Sequence, residues 1–193
     1  MANKDKAFGL RPIESKDGYG WNGKVTKYFI PSTVANVGLG DCILKSGTTN
    51  TATIQGYKAG TLPAAGIAAT NGAVTGVVVG FEPLSDESSV YGKTGVDRVA
   101  HVVDDPRVVF EAQYDGTLAA VNVGLNADRT LGTVDTITNL SGDEIKSTGI
   151  AVTATLQFKI LKLVNEENNA LGANAKVEVI INNHTESNNT AGV

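Results

Sequence analysis

The sequence predicts an all-β fold, a compact sandwich or barrel with a jelly-roll-like topology preferred. An extended N-terminal arm and at most one short helix accompany it. Three observations carry this reading. The first is period-two alternation, best seen after Asp104-Asp105-Pro106. There Val108, Phe110, Ala112 and Tyr114 share one parity, and Arg107, Glu111, Gln113 and Asp115 the other. Side chains alternate across a strand, so this pattern describes one buried and one wet face. The second is composition: 22 glycines, one tryptophan and one methionine in 193 residues favour turns and short strands over long helices. The third is β-branched runs set between breakers. Val77-Val78-Val79 lies between Gly76 and Gly80 and ends at Pro83. Such residues are stiff about χ1 and suit strands.

Taken in order, residues 1–23 read as the arm, 24–182 as a single β-rich domain and 183–193 as a polar tail. In the arm, Phe8, Leu10, Ile13 and Trp21 are interspersed with Lys4, Lys6, Arg11 and Lys16, and glycines and Pro12 break any regular element. Two readings stand side by side: a loosely tied terminus, or an extended segment that docks on a neighbouring subunit. Lys24–Ile30 is the first expected strand, and Pro31-Ser32 stops it. Asp41–Ser46 is the second, with Cys42 as a buried, inert thiol. Gly47–Asn50 is a turn and Thr51–Tyr57 a weaker strand. Residues 58–73 carry no clear period and are read as irregular.

Val74–Glu82 is expected to be a strand buried on both faces, because its apolar run does not alternate. A polar loop follows at 84–95, containing Asp86-Glu87. Val96–Val103 is the next strand, with Val99, His101 and Val103 on one face. The turn at Asp104-Asp105-Pro106 predicts that this strand and 107–115 form an antiparallel hairpin. Thr117–Asp128 is the best candidate for a helical turn, limited by Gly124, and 129–150 for one or two short outer strands. In Leu156–Val164 the apolar parity switches between Ile160 and Leu161, which predicts a β-bulge or bend. Lys176–Asn182 closes the domain, with Val177, Val179 and Ile181 facing in. The turns at Asn36–Asp41 and Asn122–Asp128 resemble one another, as Gly-containing turns do.

Sixteen basic against twenty acidic residues give a net charge of -4. That balance argues against coating nucleic acid, which needs a basic face. One cysteine excludes an intrachain disulfide and a thiolate metal cage. No apolar run reaches membrane-spanning length, and the first six residues carry no signal-peptide core, so synthesis in a cytoplasm is expected. Catalytic chemistry finds little material. His101 and His184 are the only histidines and neither has a partner at metal-ligand spacing. The acidic pairs Asp86-Glu87, Asp104-Asp105 and Glu166-Glu167 lack calcium-loop spacing and read as solvated turns. Gly38-Leu39-Gly40 lacks the third glycine of a dinucleotide site, and no serine sits in a Gly-x-Ser-x-Gly elbow. An enzyme would need polar groups to converge around His101 or Asp104-Asp105. No catalytic residue, metal or cofactor is assigned.

Several segments, in order, carry a resemblance. They are Phe8-Gly9-Leu10-Arg11-Pro12, Asn22-Gly23 with Tyr28-Phe29-Ile30-Pro31, Gly76–Pro83, Asp104-Asp105-Pro106 with Val109-Phe110-Glu111 and Gln113, and Val123–Asp128. Phe158-Lys159-Ile160-Leu161, Val177-Glu178-Val179 and Ile181–His184 complete them. Through these the chain resembles the head decoration, or cement, proteins of tailed phages, encoded near the major capsid protein. The motifs are turn-and-strand signatures and none is catalytic. The resemblance implies a virion protein bound outside the icosahedral head as a homotrimer, with the major capsid protein as partner and neither nucleic acid nor membrane contacted. Phe8, Leu10, Arg11 and Trp21 in the arm are the expected capsid or subunit contacts, since aromatic anchors dominate many interfaces. Deleting 1–23 is then expected to weaken attachment and leave the domain folded. Another virion β-module, a tail, fibre or carbohydrate-binding component, remains the alternative at this stage.

Overall fold

The computed structural model describes residues 3–84 and 89–187, and the chain is all-β. Two β-structures pack against one another. Strands β1 (Arg11–Ser15), β2 (Thr26–Ile30), β3 (Cys42–Thr49), β4 (Pro63–Ile67), β5 (Gly76–Phe81), β6 (Arg98–Val103) and β7 (Val108–Gln113) come first. The short strands β8 (Thr117–Leu118), β9 (Asn126–Ala127), β10 (Arg129–Thr130) and β11 (Glu144–Ile145) follow. The chain closes with β12 (Phe158–Leu163), β13 (Gly172–Ala173) and β14 (Lys176–Ile181). Among the described residues, β2-β4-β3-β5-β6 close into a barrel, and β1-β7-β14-β12-β9 form an open sheet. The barrel contains a parallel β2–β4 contact, so the topology within the all-β class differs from the jelly roll expected.

The barrel interior holds Tyr28, Ile30, Ile43, Val78, Ala100 and Val102. A larger cluster joins the outside of the barrel to the sheet: Cys42, Val77 and Val103 pack with Phe110, Phe158, Ile160 and Val179. Neighbouring residues such as Val77 and Val78 therefore serve different cores, and the expectation of a doubly buried β5 holds for Gly76–Val78, while Val79–Phe81 are half-buried. The outward parity of β6 is also as expected. Val99 and Val103 are buried and His101 is half-buried. Burial pushes the Cys42 thiol up, consistent with an inert side chain.

The strand at 107–115 departs from expectation in two ways. It does not pair with β6. Instead β6 pairs with β2 and β5, while β7 lies between β1 and β14. The Asp104-Asp105-Pro106 turn carries the chain from barrel to sheet. Asp104 pins that crossing by accepting hydrogen bonds from Thr26 Oγ1 (3.0 Å) and Tyr28 Oη (3.1 Å). Nor does β7 have a wet face: all six residues are buried. Its polar parity is covered by the N-terminal segment, where Lys6 N–H donates to Gln113 and Gln113 donates to the Lys4 carbonyl.

Residues 1–23 consequently include a strand of the main sheet, with β1 antiparallel to β7. Glycine makes the approach possible. At Gly9 (φ +73°) a Cβ would come within 2.8 Å of the Gly40 Cα, and at Gly40 (φ +94°) within 2.9 Å of the Leu10 N. A side chain at either site meets backbone, so only glycine allows Leu10 N–H to reach the Gly40 carbonyl at 3.0 Å.

Elsewhere, Thr51–Tyr57 is a turn, with Gln55 and Gly56 at positive φ, rather than a strand. The strand β4 forms inside the segment read as irregular. Ala64, Ala65 and Gly66 have weak strand propensity, but they fit between β2 and β3. The helical candidate shrinks to a single 3₁₀ turn, Ala120–Asn122, closed by the Asn122 side chain accepting the Ala119 N–H. The predicted bulge in β12 is present, as register shifts between Ile160 and Lys162. The polar tail is buried at its start: His184 and Thr185 are enclosed, and Thr185 Oγ1 lies 3.0 Å from Thr75 Oγ1. Asp86-Glu87 and residues 188–193 lie outside the described residues.

The seam between barrel and sheet carries a buried polar network. Arg129 and Asp143, both fully buried, form an ion pair, and the guanidinium also donates to the Ala68 carbonyl just after β4. Gln157 accepts the Arg129 N–H (3.1 Å) and donates to the carbonyls of Ala69 (2.8 Å) and Gly72 (3.0 Å). The segment 129–150, read as outer strands, thus holds the most enclosed charges among the described residues. Asp41 adjoins this network and accepts the Gly38 N–H at 2.6 Å. Burial, then the charge of Asp143, push its carboxyl up to about 6 from an ordinary 3.8.

The folded chain therefore holds a proton on Asp41 that the unfolded chain releases at lower pH. Its effect is most favourable below the unfolded value and is lost as pH rises through about 6. Asp41→Asn keeps an acceptor for Gly38 and removes the charge. Urea unfolding from acid to neutral pH should show a flatter stability profile for the variant, with a gain on the order of 1–3 kcal/mol at neutral pH. An unchanged slope would locate the titration elsewhere.

Candidate functional site

The four residues expected to contact a partner come together, though not on a free arm. Phe8, Leu10, Arg11 and Trp21 line one groove of about 430 Å³ together with Pro12, Val79 and Leu140. The arm is folded back by two sets of bonds. The β1–β7 ladder holds Arg11 opposite Glu111, and Trp21 N–H donates to the Ile13 carbonyl at 3.2 Å. A tight hairpin around Gly18 thus returns Trp21 beside Phe8 and Pro12.

The four side chains play different parts. Leu10 is 2 % exposed and belongs to the core, so its apolar surface is already covered. Phe8 and Trp21 are half-buried and present one side to the groove. Arg11 is exposed, with its guanidinium carbon 4.9 Å from the Phe8 ring centroid and a nitrogen 3.6 Å from Glu111 Oε2. Two residues that sequence reading missed, Val79 and Leu140, come from β5 and from the loop before β11. Local periodicity held no signal for them, because the groove forms between segments far apart in the chain.

Phe8, Arg11 and Leu140 also line a second cavity of about 530 Å³, so the two cavities adjoin along these shared side chains. The second cavity carries the charged side chains. Lys4, Lys6, Arg11 and Lys176 line it, with Glu166 as the acidic group. Asn3 and Asn169 in its lining hold backbone carbonyls, Asn3 those of Ala170 and Ala173 and Asn169 those of Val164 and Lys176. Lys176 is ion-paired to Glu166 (2.6 Å) and to Glu111 (3.5 Å), and these partners raise its ammonium above the ordinary value.

Polar groups also converge at His101, as an enzyme reading would need. Glu82 Oε1 lies 3.2 Å from His101 Nε2 and 2.7 Å from Lys27 Nζ, and it accepts the Tyr57 hydroxyl at 3.1 Å. Hydrogen bonds from Lys27 and then His101 hold the Glu82 carboxyl down at about 2. A carboxylate so far below neutral pH is a poor general base, and its contacts tie the 51–57 turn to β2 and β6. Asp104 is likewise taken up by Thr26 and Tyr28.

Among the described residues no three His, Cys, Asp or Glu side chains are grouped to hold a metal, and no helix is long and apolar enough to cross a membrane. No family model matches the chain, and no curated protein or solved structure is significantly similar to it.

Proposed function

We propose that this chain is a non-enzymatic capsid decoration protein that binds the outer surface of a tailed-phage head as a homotrimer and clamps neighbouring copies of the major capsid protein. The observation that carries the reading is the groove. Of the four arm residues expected as contacts, Phe8, Arg11 and Trp21 line one accessible surface on the β-scaffold, and Leu10 is taken into the core. A pre-formed site loses less conformational freedom on binding than a free arm would. A clip that touches several subunits gains through avidity, because each contact raises the effective concentration of the next. Binding only the assembled shell also stabilises that state by mass action.

Quantitative mass spectrometry of purified virions tests this directly. A copy number close to that of the major capsid protein is expected. A few copies per particle would place the chain in the tail or at a vertex, and absence from particles would reject a virion role.

A further inference from the structure

We propose that the groove recognises an extended acidic segment of the shell protein, with carboxylates at the Lys4–Lys6 end and a bulky apolar side chain lodged between Phe8 and Trp21. This deepens, and rests on, the shell-binding reading above.

Charge complementarity is the argument for the occupant. The chain as a whole carries a net charge of -4, yet this cavity is lined by four cations and a single carboxylate, Glu166. The charges are not equally available. Glu111 and Glu166 take up Lys176, and Glu111 also meets Arg11. Lys4 and Lys6 have no carboxylate within ion-pair distance among the described residues. Asp135 is near enough to Lys6 to feel its charge, but that carboxylate is engaged by the Ile137 and Thr138 N–H groups and the Thr138 hydroxyl. The lysines are fixed in place by their own backbone, through the fully enclosed Gln113 amide. Two exposed lysines are thus anchored by their backbone at one end of a groove whose other end is apolar. A ligand that satisfies both ends is an amphipathic, acidic stretch of chain rather than a uniform polyanion such as DNA.

Two binding assays on the full chain test this. One uses capsid shells that lack the protein. The other uses a fluorescein-labelled peptide of three aspartates followed by leucine and phenylalanine, beside its all-asparagine counterpart. Wild type should bind shells and the acidic peptide, prefer that peptide to the asparagine form, and weaken in both assays as salt rises. Lys4→Glu with Lys6→Glu should lower both affinities by about tenfold or more, mainly through lost electrostatic complementarity. Lys58→Glu with Lys159→Glu, an equal charge change elsewhere, should alter them by less than about twofold. Circular dichroism checks that each variant is folded. Shell binding that survives the Lys4/Lys6 reversal, or equal binding of the two peptides, overturns the acidic-segment inference and leaves the shell reading standing. Peptide binding without shell binding overturns the shell reading and supports the groove's preference. Binding to neither overturns both, and equal binding of a DNA duplex overturns the choice of a protein segment.

Discussion

Arg129→Ala should lower the free energy of unfolding by about 3–5 kcal/mol, the cost of stranding a buried carboxylate whose partner has been removed. Asp143 is fully buried and ion-paired to Arg129, and Asp41 lies close enough to raise the carboxyl load on that guanidinium. Removing the cation leaves two acids in an enclosed seam. It also removes the donor to the Ala68 carbonyl, a second buried group left without its partner. Total stability of a domain this size is typically only about 5–15 kcal/mol, so the variant should unfold at markedly lower urea. Arg129→Met combined with Asp143→Asn should recover part of the loss, since the uncompensated charge rather than the pair's intrinsic strength sets the penalty. A loss below about 1 kcal/mol in the single variant would show that water reaches the seam.

Deleting residues 1–23 should unfold or grossly destabilise the domain, contrary to the expectation that the truncated chain remains intact. The deletion removes β1 from the main sheet, Leu10 from the core, and the backbone that satisfies the Gln113 amide. Leu10→Ala alone is expected to cost about 2–5 kcal/mol as a large-to-small change in a packed interior. Gly40→Ala should loosen the same segment by forcing a Cβ against Leu10 N and Phe8 O. Thermal unfolding and near-ultraviolet circular dichroism report both effects. Arg11→Ala should change stability by less than about 0.5 kcal/mol, because the side chain is exposed and its pairing with Glu111 is loose at 3.6 Å. A truncated chain with a wild-type melting curve would mean that β1 is not needed. For the docking question, surface substitutions in the groove separate binding from folding, and truncation does not.

What the sequence determined by itself is local. Alternation and β-branched runs located β2, β3, β5, β6, β7, β12 and β14, because side-chain period depends only on strand geometry. The parity switch in Leu156–Val164 located the β12 bulge for the same reason. The isolated Cys42 and the poverty of histidine were readable from residue identity. Tertiary structure decided the rest. The choice of partners for β7 was one such matter, since a turn at Asp104-Asp105-Pro106 serves a hairpin and a crossing between two β-structures equally well. The existence of β4 was another, because alanine and glycine become a strand only where neighbours supply the ladder. Arg129 and Asp143 lie in a segment read as short outer strands, and only the fold encloses them together. The groove belongs to the same class: Phe8, Trp21, Val79 and Leu140 meet only because Gly9 and Gly40 let two backbones touch, a long-range contact that no local pattern encodes.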